Sequence, residues 1–378
     1  MRLSTLDAKK QLLSPPGETI LETIVNLGIS RTELGERLGK SKAKTSDLIN
    51  GKTAVTNETA RKLEMVLGVS ASFWLNLEKE YQEEIVEIEK LSFFETCKEW
   101  KKEFPIPHLK KLNFLPDTRD ELLLSEALLK FFGIASPKEW EKIYCEESMS
   151  FKIELKHTAT PQAVSTWLRI GELKARAINV SDFDKKKLKA QLHNIKKLAE
   201  SPTENWLQEL QNLCAGAGVF LCLVPSVPKA PIYGVARWIN KKSTPLVQLT
   251  DRNKDYNSFW FSFYHELGHI LLHNKSEVFL EGLDDIAQDD NKEQEADDFA
   301  KKHMNIPEQK IADLQKLNSI SRDRKIEVVH SLAQEAGLHP SIIVSQLQRH
   351  DIIAYSDKAF NELKLRVEFE YVKDVNFS

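Results

Sequence analysis

Residues 259–273 read FWFSFYHELGHILLH. The stretch is apolar with helical spacing, so a helix over roughly 256–273 is predicted. Residues four apart lie on one face of a helix, which brings the imidazoles of His265 and His269 to one point. Two converging imidazoles suit a zinc ion. Glu266 sits one position round, well placed to handle a water proton and badly placed to be a ligand on the same face. The aromatics Phe259, Trp260, Phe261 and Phe263 read as packing for a buried helix. His273, four residues past His269, reads as a hydrogen-bonded residue of the helix end.

Two histidines do not complete a catalytic zinc site; a third protein ligand is needed. Downstream, the segment Glu293-Gln294-Glu295-Ala296-Asp297 offers one. On a helix Glu293, Ala296 and Asp297 share a face. Glu293 is then the expected ligand, with Glu295 ranked second. Ala296 lets two helices approach closely, and Asp297 can accept the second N–H of a ligand imidazole. Residues 277–298 carry ten acids against Lys292 alone, which reads as a solvated loop or a gate to the cleft. The expected chemistry is hydrolysis of a peptide bond: zinc on His265, His269 and Glu293 acidifies water, and Glu266 is the general base. Tyr256, Tyr264 and His273 compete as donors to the oxyanion.

This E-x-x-A-D segment, with ADDFA at 296–300, resembles the third-ligand helix of gluzincin peptidases, and specifically the ImmA/IrrE family. The runs YGVARWIN (233–240) and PLVQLT (245–250) ahead of the helix extend that resemblance over about 215–305. It implies a zinc metallo-endopeptidase with His265, His269 and Glu293 on the metal, Glu266 catalytic and Asp297 supporting a ligand. GVFLCLVPSV (218–227), IYGVARWIN (232–240) and PLVQLT are short apolar runs between turns, predicting a small antiparallel meander. TPLVQLT is expected at its edge, where it can bind substrate backbone by strand addition. The tail is expected to be helical to about residue 362 and to close with a strand pair in LKLRVEFEYVKDVNF.

At the other end the punctuation is helical. GETILETIVNLG, SRTELGERLG, SKAKTSDLIN, TNETARKLEMVLG and SASFWLNLEKEYQEEIVEIEK predict five helices, with Ser30 and Ser41 as caps and Ser30 with Glu33 as a capping box. Two short helices joined by a tight turn make a helix-turn-helix. Residues 15–85, with INGK at 49–52 and FWLNLE at 73–78, resemble the XRE-type helix-turn-helix of HigA-like antitoxins. Residues 30–62 hold eight Lys or Arg against four acids, a local excess within a chain of net charge −3. Lys42, Lys44 and Ser46 are the expected base-reading side chains, and Lys52 the expected phosphate contact. Thr45, Leu48 and Ile49 are expected to face the other helices. Asp47 departs from the pattern, because a carboxylate on a reading face repels phosphate. An alternative use of the module is dimerisation or partner binding.

The expected fold is α+β and mainly helical. A five-helix helix-turn-helix domain (1–88) leads through a helical connector (89–210), in which no chemistry is evident, to a zincin-like domain with a small sheet (211–378; core about 215–305) and a helical extension. No signal segment, membrane span or C-x-x-C pair occurs among the four cysteines Cys97, Cys145, Cys214 and Cys222, so a cytoplasmic protein is expected. The two resemblances together imply a transcriptional regulator, dimeric on operator DNA, whose peptidase domain cleaves a repressor or antitoxin-like protein in a phage, mobile-element or toxin–antitoxin setting. Two further readings stay open: a non-catalytic HigA-like antitoxin or repressor using the peptidase fold as a binding module, and a peptidase toxin restrained in cis.

Overall fold

The computed structural model describes residues 5–145, 159–239, 243–273, 279–281, 290–304, 306 and 321–369. It is mainly helical with one small sheet. The chain divides into two compact units, residues 1–100 with 120–126, and residues 101–119 with 127–378.

The first unit holds α1 (Thr5–Leu12), α2 (Pro16–Asn26), α3 (Arg31–Leu38), α4 (Lys42–Ile49), α5 (Asn57–Leu67) and most of α6 (Ala71–Lys102). The five expected helices are α2 to α6; α1 is additional. Ser30, Ser41 and Thr56 cap α3, α4 and α5, each accepting from the backbone N–H three residues on. The reciprocal half of the expected capping box does not form, because the Glu33 carboxylate pairs with Arg37 at 2.6 Å instead. Gly39 ends α3 in the left-handed region, which glycine enters without strain and which makes the tight turn into α4. Ile20, Ile24, Leu34, Leu38, Leu48, Leu63 and Trp74 form the core. The approach of α2 to α4 is close enough that a Cβ on Gly17 would stand 2.0 Å from the Ile49 carbonyl oxygen.

In the second unit, α7 (Ile106–Lys111), α8 (Glu121–Phe132, entering from the first unit), α9 (Pro137–Trp140), α10 (Pro161–Ala175), α11 (Lys185–Glu200) and α12 (Trp206–Gly216) precede the sheet. The strands are β1 (Phe220–Leu223), β2 (Gly234–Ile239), β3 (Thr244–Leu249) and β4 (Phe279–Glu281), in the order β1-β3-β2-β4. Then α13 (Tyr256–Leu272), α14 (Asp290–Met304), α15 (Arg322–Ala336), α16 (Pro340–Arg349) and α17 (Lys358–Glu362) complete the chain.

The sheet is mixed rather than an antiparallel meander. β2 runs antiparallel to both β3 and β4, but β1 joins β3 in parallel. The cause is the β1–β2 connection: Pro225, Pro228 and Pro231 lack the N–H groups a hairpin partner needs, so the chain crosses over. β3 is therefore an inner strand, and the expected edge at TPLVQLT is occupied on both sides. The expected closing strand pair is also absent among the described residues: Arg366 makes one isolated bridge, to Asp255, and residues 370–378 lie outside them.

α13 is the axis of this unit. Every residue from Ser262 to Leu271 is buried. It packs on β2 and β3, and on α14 and α16. Asp255 caps its start through the Ser258 N–H and is itself held by Lys364 at 3.0 Å and Ser345 at 2.9 Å. A buried helix requires close-fitting neighbours, and Gly268 supplies one such fit: a Cβ there would lie 3.2 Å from Cα of Ala296 and 3.3 Å from Cβ of Phe299.

Candidate metal centre and nucleic-acid interface

Helix spacing on α13 carries the imidazoles of His265 and His269 to one point, with Nε2 atoms 3.0 Å apart. The Gly268–Ala296 contact brings α14 against that face, and Glu293 meets both rings. Its Oε2 lies 3.2 Å from His265 Nε2 and its Oε1 lies 3.4 Å from His269 Nε2. Four-coordinate zinc at about 2.0–2.1 Å from each ligand holds ligand atoms about 3.3 Å apart, so these spacings fit one ion. His265, His269 and Glu293 form the group of candidate metal ligands among the described residues.

The chemistry of the donor set agrees. Asp297 Oδ1 lies 3.0 Å from His265 Nδ1. A carboxylate only accepts, so His265 donates from Nδ1 to Asp297, which leaves Nε2 as the nitrogen that would meet a cation. This hydrogen bond, ahead of opposing burial, lowers the Asp297 carboxyl. Burial works to raise the Glu293 carboxyl, but hydrogen bonds and charge from His265 and His269 outweigh it and hold it at about 2. Burial pushes His269 down to about 4, which keeps its ring neutral at ordinary pH. A neutral His269 ring and an ionised Glu293 carboxylate are protonation states that suit a divalent cation.

Glu266 is fully buried, on the same helix as both histidines. It lies against β2 at Gly234, where a Cβ would stand 2.6 Å from its Oε1 and 2.8 Å from its Cγ. Only a glycine leaves the carboxylate that place. Glu295, ranked second as ligand, does not join the group: its Oε2 lies 3.1 Å from His273 Nε2, and His273 Nδ1 lies 2.9 Å from His269 Nδ1. His273 is the residue that ends α13, its N–H on the His269 carbonyl, and its ring is in addition hydrogen-bonded to the His269 ring. Two of the three candidate oxyanion donors are engaged elsewhere. Tyr256 donates to the Ala199 carbonyl at 3.1 Å, Tyr264 is buried with its ring stacked on His303, and His273 serves His269. Much of the acidic stretch at 277–298 lies outside the described residues.

Sequence reasoning passes over Gly234 and the His273–Glu295 pair. The i+4 spacing of His273 from His269 is a visible signal for the latter; nothing local marks Gly234, whose role arises only when β2 meets α13.

In the helix-turn-helix, Lys42, Ala43, Lys44 and Ser46 on α4 are exposed, as is Lys52 just beyond it, while Thr45, Leu48 and Ile49 are buried. The face expected to read bases is therefore the solvent face. Ser46 Oγ accepts from Asn50 Nδ2 at 3.1 Å, which leaves its hydroxyl hydrogen to donate. Asp47 is half-buried, and its carbonyl accepts from the Lys52 N–H at 2.8 Å, setting the direction in which Lys52 leaves the helix.

Residues 20–74 match the family model described as Helix-turn-helix, and residues 226–345 match a peptidase family model described as the IrrE N-terminal-like domain. Over 63 residues, 17% of this chain and 67% of the relative, the chain is 38% identical to the Uncharacterized HTH-type transcriptional regulator YddM of Escherichia coli (strain K12). A solved structure of an addiction module antidote protein of a HigA family from Coxiella burnetii is 26% identical, with a TM-score of 0.21, covering 22% of this chain and 92% of that one. Among the described residues no helix is long and apolar enough to cross a membrane.

Proposed function

Since this chain belongs to the helix-turn-helix regulators and carries an IrrE N-terminal-like peptidase domain on the same polypeptide, we propose that it is a cytoplasmic DNA-binding regulator with a zinc-dependent endopeptidase. The observation that carries the peptidase reading is the convergence of His265, His269 and Glu293 within 4.8 Å of one another, with the buried Glu266 on the same helix.

In this reading His265 and His269 bind through Nε2, and Glu293 through its carboxylate. Zinc held there supplies a Lewis acid that acidifies water and polarises a peptide carbonyl. Glu266 takes the water proton at a carboxylate oxygen and returns it to the leaving amine as the C–N bond breaks. Gly234 leaves room for that carboxylate. Asp297 holds the His265 ring in one orientation. The burial of α13 keeps bulk water from Glu266.

The helix-turn-helix binds operator DNA as a homodimer, with Lys42, Lys44 and Ser46 at base edges and Lys52 on phosphate. The protein substrate is a repressor or antitoxin-like protein, in a phage, mobile-element or toxin–antitoxin setting. A DNA-reading module on the same chain favours selective over digestive cleavage.

The test loads the full chain with zinc and compares it with Glu266→Gln, on a quenched-fluorescent peptide library and on repressors encoded beside its gene. Glu266→Gln is expected to retain zinc and lose about 10²–10⁴-fold in cleavage. Equal cleavage by the two proteins refutes the mechanism. A wild-type chain that binds its upstream DNA but neither takes zinc nor cleaves marks a binding module instead.

A further inference from the structure

Resting on the metal reading above, we propose that His273 and Glu295 form a proton-fixing relay: they hold His269 in the one tautomer whose Nε2 lone pair faces the ligand point. Both are positioning residues, acting through His269.

The direction of each hydrogen follows from the outer end of the chain. The Glu295 carboxylate can only accept, so His273 donates to it from Nε2, across 3.1 Å. A neutral imidazole that donates from Nε2 carries a lone pair on Nδ1. That lone pair faces His269 Nδ1 at 2.9 Å. Two bare nitrogens at that distance repel, so His269 donates from Nδ1. Its Nε2 then turns a lone pair to the point between His265 Nε2 and Glu293 Oε1, where a bound cation relieves the same repulsion. The opposite tautomer would break the Nδ1 contact and put an N–H where a cation must sit.

The two candidate ligands are thus set by different devices. His265 meets the Asp297 carboxylate directly at 3.0 Å. His269 reaches its carboxylate through an interposed imidazole. Both carboxylates flank Ala296 on α14, so one helix contact sets the two tautomers together, while Glu293 from the same helix faces the ligand point. Burial supports the relay: the His273 side chain is 3% exposed, although Glu295 is 62% exposed. The outer link alone is therefore open to competition from water, and His273 carries more of the effect than Glu295.

The test uses the full chain with His273→Leu, His273→Asn and Glu295→Gln. Three readouts are taken: the zinc dissociation constant by chelator competition, the melting temperature of the zinc-free protein, and the histidine ¹⁵N tautomer signature of His269 in the zinc-free protein at about pH 8.5, above the ordinary imidazole range. In the wild type, His269 is expected to carry its hydrogen on Nδ1. His273→Leu should weaken zinc about 10–100-fold. His273→Asn, whose Oδ1 stands near the former Nδ1 and still accepts, should recover most of that loss. Glu295→Gln, whose amide can donate as well as accept, should give a smaller loss and a mixed His269 signature. The zinc-free melting temperatures should stay together, which separates positioning from structural damage. Should His273→Leu fail to fold, the wild-type spectrum and His273→Asn still decide the matter. His269 with its hydrogen on Nε2, or zinc bound as tightly by His273→Leu as by wild type, overturns the relay. A wild type that takes no zinc overturns the metal reading instead, and the spectrum alone then judges the relay.

Discussion

Replacing Gly234 by alanine tests whether the placement of Glu266 matters for chemistry. The added Cβ would stand 2.6 Å from Glu266 Oε1, 2.8 Å from its Cγ and 3.1 Å from its Cδ. Ordinary van der Waals contact begins at 3.4 Å, so the carboxylate end must retreat by about 0.8 Å (3.4 − 2.6). The atoms that must move belong to one side chain rather than to backbone, so a shifted rotamer absorbs the clash at about 1 kcal/mol. That lowers the melting temperature of a unit this size by about 2–4 °C. Catalysis should suffer far more, because a misplacement of about 1 Å can cost about 10²-fold. The three atoms nearest the new methyl group all belong to Glu266, so zinc affinity should stay within about threefold. The assay is cleavage of the peptide library by zinc-loaded Gly234→Ala, with chelator competition and a thermal melt alongside. Unchanged turnover refutes the claim that this pocket positions the base. A parallel loss of zinc shows instead that the substitution damages the ligand helix.

Gly17→Ala should destabilise the helix-turn-helix, because its Cβ meets the Ile49 backbone at 2.0 Å and no rotamer change relieves that. At the upper end of overpacking, about 3 kcal/mol, amide exchange in α2 and α4 should quicken by about 10²-fold; unchanged exchange refutes the close approach. The pair Lys42→Ala with Lys44→Ala should weaken binding to the chain's upstream DNA and reduce the salt slope by up to about 1.8 (2 × 0.9); an unchanged gel shift removes α4 as the reading helix. Burial pushes His303 down to about 4, against an ordinary value near 6.5. The unfolded chain thus takes up this proton first, and the contribution to stability is complete above about pH 6.5 and lost as pH falls toward about 4. At pH 5, His303→Gln should bind about one proton fewer on unfolding than wild type, and an equal uptake would show that the ring titrates normally in the fold.

The helix spanning residues 259–273 and the pairing of His265 with His269 are local properties. Apolar spacing decides the first, and a four-residue separation on one helix decides the second. Caps are local too, which is why α3 and α4 begin where Ser30 and Ser41 say they should. The burial of Thr45, Leu48 and Ile49 against the exposure of Lys42 and Lys44 follows from the same periodicity. Strand order has no such local code. Three short apolar runs are equally compatible with a meander, and only the crossover after β1 makes β3 an inner strand.

Local order in the chain thus settles the helical punctuation, the two-histidine face with Glu266 beside it, and the candidacy of Glu293 and Asp297 on one later helix. Tertiary structure alone decided that α14 meets α13 across Gly268 and Ala296, which is the contact that carries Glu293 to both imidazoles. It also decided the place of Glu266 over Gly234, and the tie from His269 through His273 to Glu295. The physical reason is range. Helix periodicity and capping act within a few residues, whereas a metal site and its supporting hydrogen bonds need atoms from distant segments brought within about 3 Å, which only packing can do.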